Sequence, residues 1–152
     1  MSWLSRHAAS IEAVAASVTA VTAILAVAGV VMQLRAADDT ARAQSAREAY
    51  AAHLALAVAN PEFAEPADAC ALIGSVKGAA YQAYVDHLLY AAEQMLAVES
   101  GWGPTFESAL LPHAAALCAA TPAGDAPEMA AMLATFRTHA CAAAPICAAG
   151  GT

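Results

Sequence analysis

A chain of 152 residues that is 61% hydrophobic and only 12% charged carries about half the charge of an ordinary soluble domain. That excludes a disordered chain. Forty-seven alanines supply about half of the apolar fraction, so little large side chain is available to a core. The net charge of −7 is unevenly spread. Residues 1–35 hold Arg6 and Arg35 against Glu12, and the remainder holds four basic against twelve acidic side chains, a balance that disfavours nucleic acid as a partner.

Residues 1–12 read as an N-terminal tail. From Ala13 to Leu34 there are 22 residues without a charge, and at about 1.5 Å per residue a helix of that length covers a hydrocarbon core of about 30 Å. The stretch has no proline and one glycine, Gly29. A domain this rich in alanine could hardly surround so many apolar positions, so a single transmembrane helix at 13–34 is predicted. A cleaved signal peptide competes, because Arg6 supplies a basic n-region and Ala26-Val27-Ala28 has the form of a cleavage site. Ala15, Thr19 and Ala23, with Ala16 and Ala20 beside them, give one side of the helix small residues against which another membrane helix can pack. Ser17, Thr19 and Thr22 can return their hydroxyl bonds to carbonyls one turn earlier.

Residues 35–60 continue as a juxtamembrane helix with the stripe Ala43, Ala46, Tyr50, Leu54 and Ala57, ended by Asn60-Pro61. A helical domain then runs over 61–144. It begins with a polar connector and a loop or single turn around Leu72 and Ile73. From Ala79 to about Val98 the stripe Tyr81, Val85, Leu88, Leu89, Ala92, Leu96 predicts the central helix. Gly101-Trp102-Gly103-Pro104 stops it. A third helix starts at Thr105 and is kinked or divided by Pro112. Asp125 and Glu128 resemble a capping box for a last helix reaching about Ala144, with Pro145 ending it and 145–152 as a flexible tail. No alternating strand pattern occurs. The expected fold is all-α: one N-terminal transmembrane helix continuing into a small helical bundle.

The elements Gln33-Leu34-Arg35, Arg42-Ala43-Gln44, Tyr50, Asn60-Pro61-Glu62 and the later Trp102 together resemble a widespread group of uncharacterised single-span bacterial membrane proteins. The likeness covers about residues 11–120. It implies a cytoplasmic helical domain behind an amino-terminal anchor and carries over no catalytic residue. The four cysteines and the alanine-glycine tail depart from that pattern.

Orientation follows from two opposing cues. Arg35, Arg42 and Arg47 fall within about 15 residues of the span, against Arg6 and the amino terminus upstream, which predicts a cytoplasmic domain. An even number of cysteines favours the periplasm as the alternative. Four cysteines allow three pairings. Pro145 permits a turn between Cys141 and Cys147, which makes those two the candidate disulfide, with bonds from either to Cys118 or Cys70 as alternatives.

The histidines and cysteines do not make a metal site by spacing. His113 and Cys118 point about 140° apart on a helix, and His139 and Cys141 diverge by about 200°. His53 and His87 lie at the edges of their stripes, where partial exposure is expected. Tyr81, Tyr84 and Tyr90 cannot all face one way, so one is exposed. Met95, Met129 and Met132 read as core. Trp102 is either a lid on the bundle or a contact for a partner. With no catalytic, cofactor or metal constellation, the expected function is a noncatalytic accessory or scaffold subunit of a bacterial inner-membrane protein complex. It would dock through its transmembrane helix and have the lipid bilayer and an integral membrane complex as partners. A membrane-anchored sensing module and a periplasmic disulfide-stabilised binding domain are the alternatives.

Overall fold

A computed structural model describes residues 3–119, 126–144 and 147, with side chains from Glu12 onward. The described residues form helices and turns without a strand, the expected all-α class. The chain divides into two compact units, Met1–Ala41 and Arg42–Thr152.

Helix α1 runs Trp3–Ala59, so it begins inside the segment read as a tail. Nothing in its sequence interrupts it, since proline is absent and Gly29 is its one glycine. In the first unit the side chains from Glu12 to Ala41 are exposed, with only Gly29 less so. Ser17, Thr19 and Thr22 donate to the carbonyls of Ala13, Ala15 and Val18 at 2.8, 2.9 and 2.9 Å. The hydroxyls are thereby satisfied within the helix. Among the described residues this is one helix long and apolar enough to cross a membrane. At its far end Asn60 leaves helical geometry and precedes Pro61, and its side-chain amide donates to the Leu56 carbonyl at 3.0 Å.

The second unit is organised around α4, Gly78–Val98. Two short helices precede it, α2 (Pro61–Ala64) and α3 (Ala69–Ile73), where the sequence suggested a loop or one turn. Asp68 caps α3 by accepting from the Ala71 N–H at 2.9 Å, a contact worth about 1 kcal/mol. Helix α5 is Gly103–Leu110 and α6 is Ala114–Ala119, separated by a 3₁₀ turn, Leu111–His113, at Pro112. The expected division falls there because proline cannot donate to the preceding turn. Helix α7, Pro127–Ala140, ends four residues before the expected Ala144. Asp125, expected in a capping box, and Pro145, expected to end the last helix, lie outside the described residues. At the start of α7 the Ala126 N–H donates to Glu93 on α4 at 3.0 Å.

Helix α4 packs against α3, α5 and α7, while α3 also touches α6 and α5 touches α7. Tyr81, Val85, Leu88, Ala92 and Leu96 are buried as the stripe predicted, and Leu89 is partly so. Phe106, Leu110, Met129, Met132, Leu133 and Phe136 face them, and Ala46 joins from α1. Tyr90 is the exposed tyrosine of α4, and all three expected core methionines are buried.

The start of α4 is a tight crossing. A Cβ on Gly78 would collide with the Ile73 carbonyl oxygen and stand 3.1 Å from its carbon. Backbone cannot swing aside as a side chain can. Gly78→Ala is therefore expected to cost about 1–3 kcal/mol, the usual penalty of overpacking, read as a lower denaturation midpoint of the full chain. An unchanged midpoint would show that α3 and α4 are free to separate.

All four cysteines are bonded. Cys70 on α3 pairs with Cys147, and Cys118 on α6 pairs with Cys141 just after α7, at Cα separations of 5.1 and 5.6 Å. Both lie within the range a disulfide spans. The short Cys141–Cys147 closure favoured from sequence is not formed. Cys141, just past the end of α7, meets Cys118 on α6, and Cys147 reaches α3, the neighbour of α6. Of the flexible tail expected at 145–152, only Cys147 lies within the described residues.

Candidate functional site

The polar groups of the second unit gather at one place. Near its end α1 carries Tyr50 and His53, and α4 carries Tyr84 and His87, each pair three residues apart and therefore on one side of its helix. Tyr81 precedes Tyr84 by one more turn, and the 3₁₀ turn at Pro112 delivers His113. The ring of His53 lies 4.8 Å from Tyr84 and stacks on His87 at 5.8 Å with 18° between planes. On the other side of Tyr84 stands His113, 5.8 Å away. Its Nδ1 is 2.9 Å from the Tyr81 hydroxyl, in a hydrogen bond wholly inside the core. Three imidazoles thus surround two phenols.

Burial fixes their charge. The pKa of His113, 1% exposed, is pushed down to about 4 by desolvation, with nearby His53 adding to the effect. Desolvation lowers His53 as well, helped by His87. Tyr81 is pushed up to about 12 by burial and by Tyr84, and burial raises Tyr84 too. At neutral pH the Tyr81–His113 bond therefore joins two uncharged groups.

Beside this cluster is a cleft of about 520 Å³, lined by Tyr50, His53, Glu65, Tyr84, Ser108 and His113 with small apolar residues between them. A second cleft of about 410 Å³ opens past Tyr84, against Leu56, Phe63 and His87. A third, of about 260 Å³, lies between α5 and α7 at Glu107, Phe136 and His139. The Nδ1 atoms of His53 and His87 are buried without a hydrogen-bond partner among the described residues.

Several expectations change here. His53 is buried at 5% exposure rather than partly exposed, whereas His87 is partly exposed as expected. Tertiary packing does this: α1 and α4 each turn the histidine side of a Tyr-x-x-His pair toward the other. That spacing, Tyr50-Ala-Ala-His53 and Tyr84-Val-Asp-His87, is the sequence signal that marks the cluster. His113 does not join Cys118, which is in a disulfide, and His139 is exposed. Among the described residues no three His, Cys, Asp or Glu side chains are grouped to hold a metal. Trp102 packs as a lid, its ring 5.2 Å from Tyr50 and 6.1 Å from Phe106. Ala15, Ala16, Thr19, Ala20 and Ala23 are exposed along α1 in the other unit. The cluster offers neutral hydrogen-bonding rings and no free thiol, since the four sulfurs are bonded to one another.

Comparison with known proteins finds no matching family model, no matching curated protein and no matching solved structure.

Proposed function

We propose that this chain is a noncatalytic accessory module of a bacterial inner-membrane protein complex. It is tethered by the apolar part of α1 and carries its disulfide-closed helical domain on the non-cytosolic face. The observation that carries the reading is the engagement of all four cysteines in two bonds within one small domain. Such bonds persist where the surroundings are oxidising, whereas the cytosol keeps thiols reduced. This reverses the side suggested by Arg35, Arg42 and Arg47. Flanking arginines bias orientation, but their count here exceeds the upstream charges only modestly. The small-residue side of α1, Ala15 to Ala23, supports docking, because it lets a second helix approach closely in lipid, where packing rather than water drives association.

Thiol labelling tests the side. In cells whose outer membrane is opened, a membrane-impermeant maleimide is expected to label nothing before reduction and all four cysteines after an impermeant reductant. Labelling that needs the inner membrane broken would overturn the proposed side. Alkaline extraction is expected to leave the chain in the membrane pellet, and release into solution would remove the tether. Purification in mild detergent is expected to recover a stoichiometric integral membrane companion, and a lone monomer would sink the accessory role.

A further inference from the structure

We propose that the cleft beside His53 is a binding site for a small neutral aromatic alcohol, a phenol-class molecule whose hydroxyl pairs with the His53 imidazole. The cleft, at about 520 Å³, lies within the usual range for small-molecule sites, about 300–1,000 Å³.

His53 carries an unmet polar requirement. It is 5% exposed, its ring lines the cleft, and its buried Nδ1 has no hydrogen-bond partner among the described residues. A buried ring nitrogen without a partner has given up water and gained nothing in exchange. Native domains keep few such groups, and those they keep often mark function or an absent partner. Tyr81 and His113 next to it satisfy each other, so within the ring cluster the vacancy belongs to His53 and its stacked neighbour His87. A metal ion does not answer it, because among the described residues no third ligand of the usual kinds stands beside the pair.

Charge narrows the choice of ligand. Glu65 is the one carboxylate among the described lining residues. It repels a carboxylate or phosphate, and the buried imidazoles are held neutral rather than offering a balancing cation. An ammonium ion would leave water for a single exposed carboxylate, which is poor compensation. A neutral ligand avoids both costs. Shape narrows it further. Tyr50, Tyr84 and the imidazoles present flat rings, which favour an aromatic body in offset or edge contact, while Ser108 and Thr105 supply hydroxyls at the mouth.

The test uses the full chain, histidine-labelled with ¹⁵N, at pH 7.5. Four probes of matched size are titrated: phenol, toluene, benzoate and benzylammonium. Phenol is expected to shift the His53 nitrogen resonances saturably, with exposed His139 as the reference for nonspecific effects. Toluene is expected to bind about tenfold more weakly, the value of one hydrogen bond to a buried acceptor, and the two ions more weakly than phenol. In His53→Phe, followed through the Tyr50 and Tyr84 ring resonances, phenol is expected to fall to the level of toluene. Ser108→Phe, at an exposed rim position, is expected to fill the mouth and abolish binding with helicity unchanged. The proposal is overturned if phenol produces no saturable shift, if toluene matches it, if either ion binds more tightly, or if phenol binds undiminished to either variant.

Discussion

Replacing Cys70 and Cys147 by serine is expected to lower the stability of the domain by about 4 kcal/mol, and replacing Cys118 and Cys141 by about 3 kcal/mol. In the chain-entropy account a disulfide acts by restricting the unfolded chain, more so the longer the loop it closes. The two bonds here span 77 and 23 residues, and the shorter loop lies wholly inside the longer. Nesting reduces the outer effect only slightly, because the inner bridge shortens the path between Cys70 and Cys147, so the losses nearly add. Their sum is comparable to the whole stability of an ordinary small domain, about 5–15 kcal/mol. The core offers little reserve, since seven of the 21 buried apolar residues described are alanines. Full reduction is therefore expected to unfold the second unit at 37 °C while the part of α1 in the first unit stays helical in detergent. Near-UV circular dichroism from the Tyr50, Trp102 and Phe106 rings reads this, since those rings pack only in the folded unit. A retained near-UV spectrum with four thiols titrated would overturn the expectation.

This dependence on cross-links explains why some of the molecule is legible in the sequence and some is not. Helix ends are local events. Asn60-Pro61 stops α1 and Pro112 divides α5 from α6 through the missing N–H and the steric demand of one ring, so a reader of the sequence can place them. The stripe of α4 is likewise a property of one helix. Cysteine pairing is not local. Pro145 allows Cys141 and Cys147 to meet, but the bond partners are chosen by the contact of α3 with α6, on which sequence spacing has no bearing. His53 shows the same division. Its place three residues after Tyr50 is visible, and the repeat of that spacing at Tyr84 and His87 is a usable clue. Its burial arises only when α4 is laid against the end of α1, a placement of two elements far apart in the chain.

The second large effect is acid instability arising from His113. Its pKa is about 4 in the folded protein against an ordinary 6.5, so the unfolded chain binds the proton first as pH falls. Stability is complete above about pH 6.5 and is lost progressively down to about pH 4. The full difference corresponds to about 3 kcal/mol, of which about 2 kcal/mol is gone by pH 5. His53, lowered in the same direction, adds to the loss. Carboxylates begin to protonate mainly below this interval, so the slope between pH 6.5 and 5 reports on imidazoles. Urea midpoints of the full chain across that interval measure it. His113→Gln separates titration from packing, because an amide can still pair with the Tyr81 hydroxyl at the 2.9 Å site yet takes up no proton in this range. The variant is expected to show a shallower slope, with the remainder belonging to His53. Tyr81→Phe works in the opposite way: it leaves the His113 nitrogen without its partner and is expected to cost about 1–3 kcal/mol at neutral pH. A slope in His113→Gln as steep as in the parent would mean that His113 is not the group whose charging the fold resists.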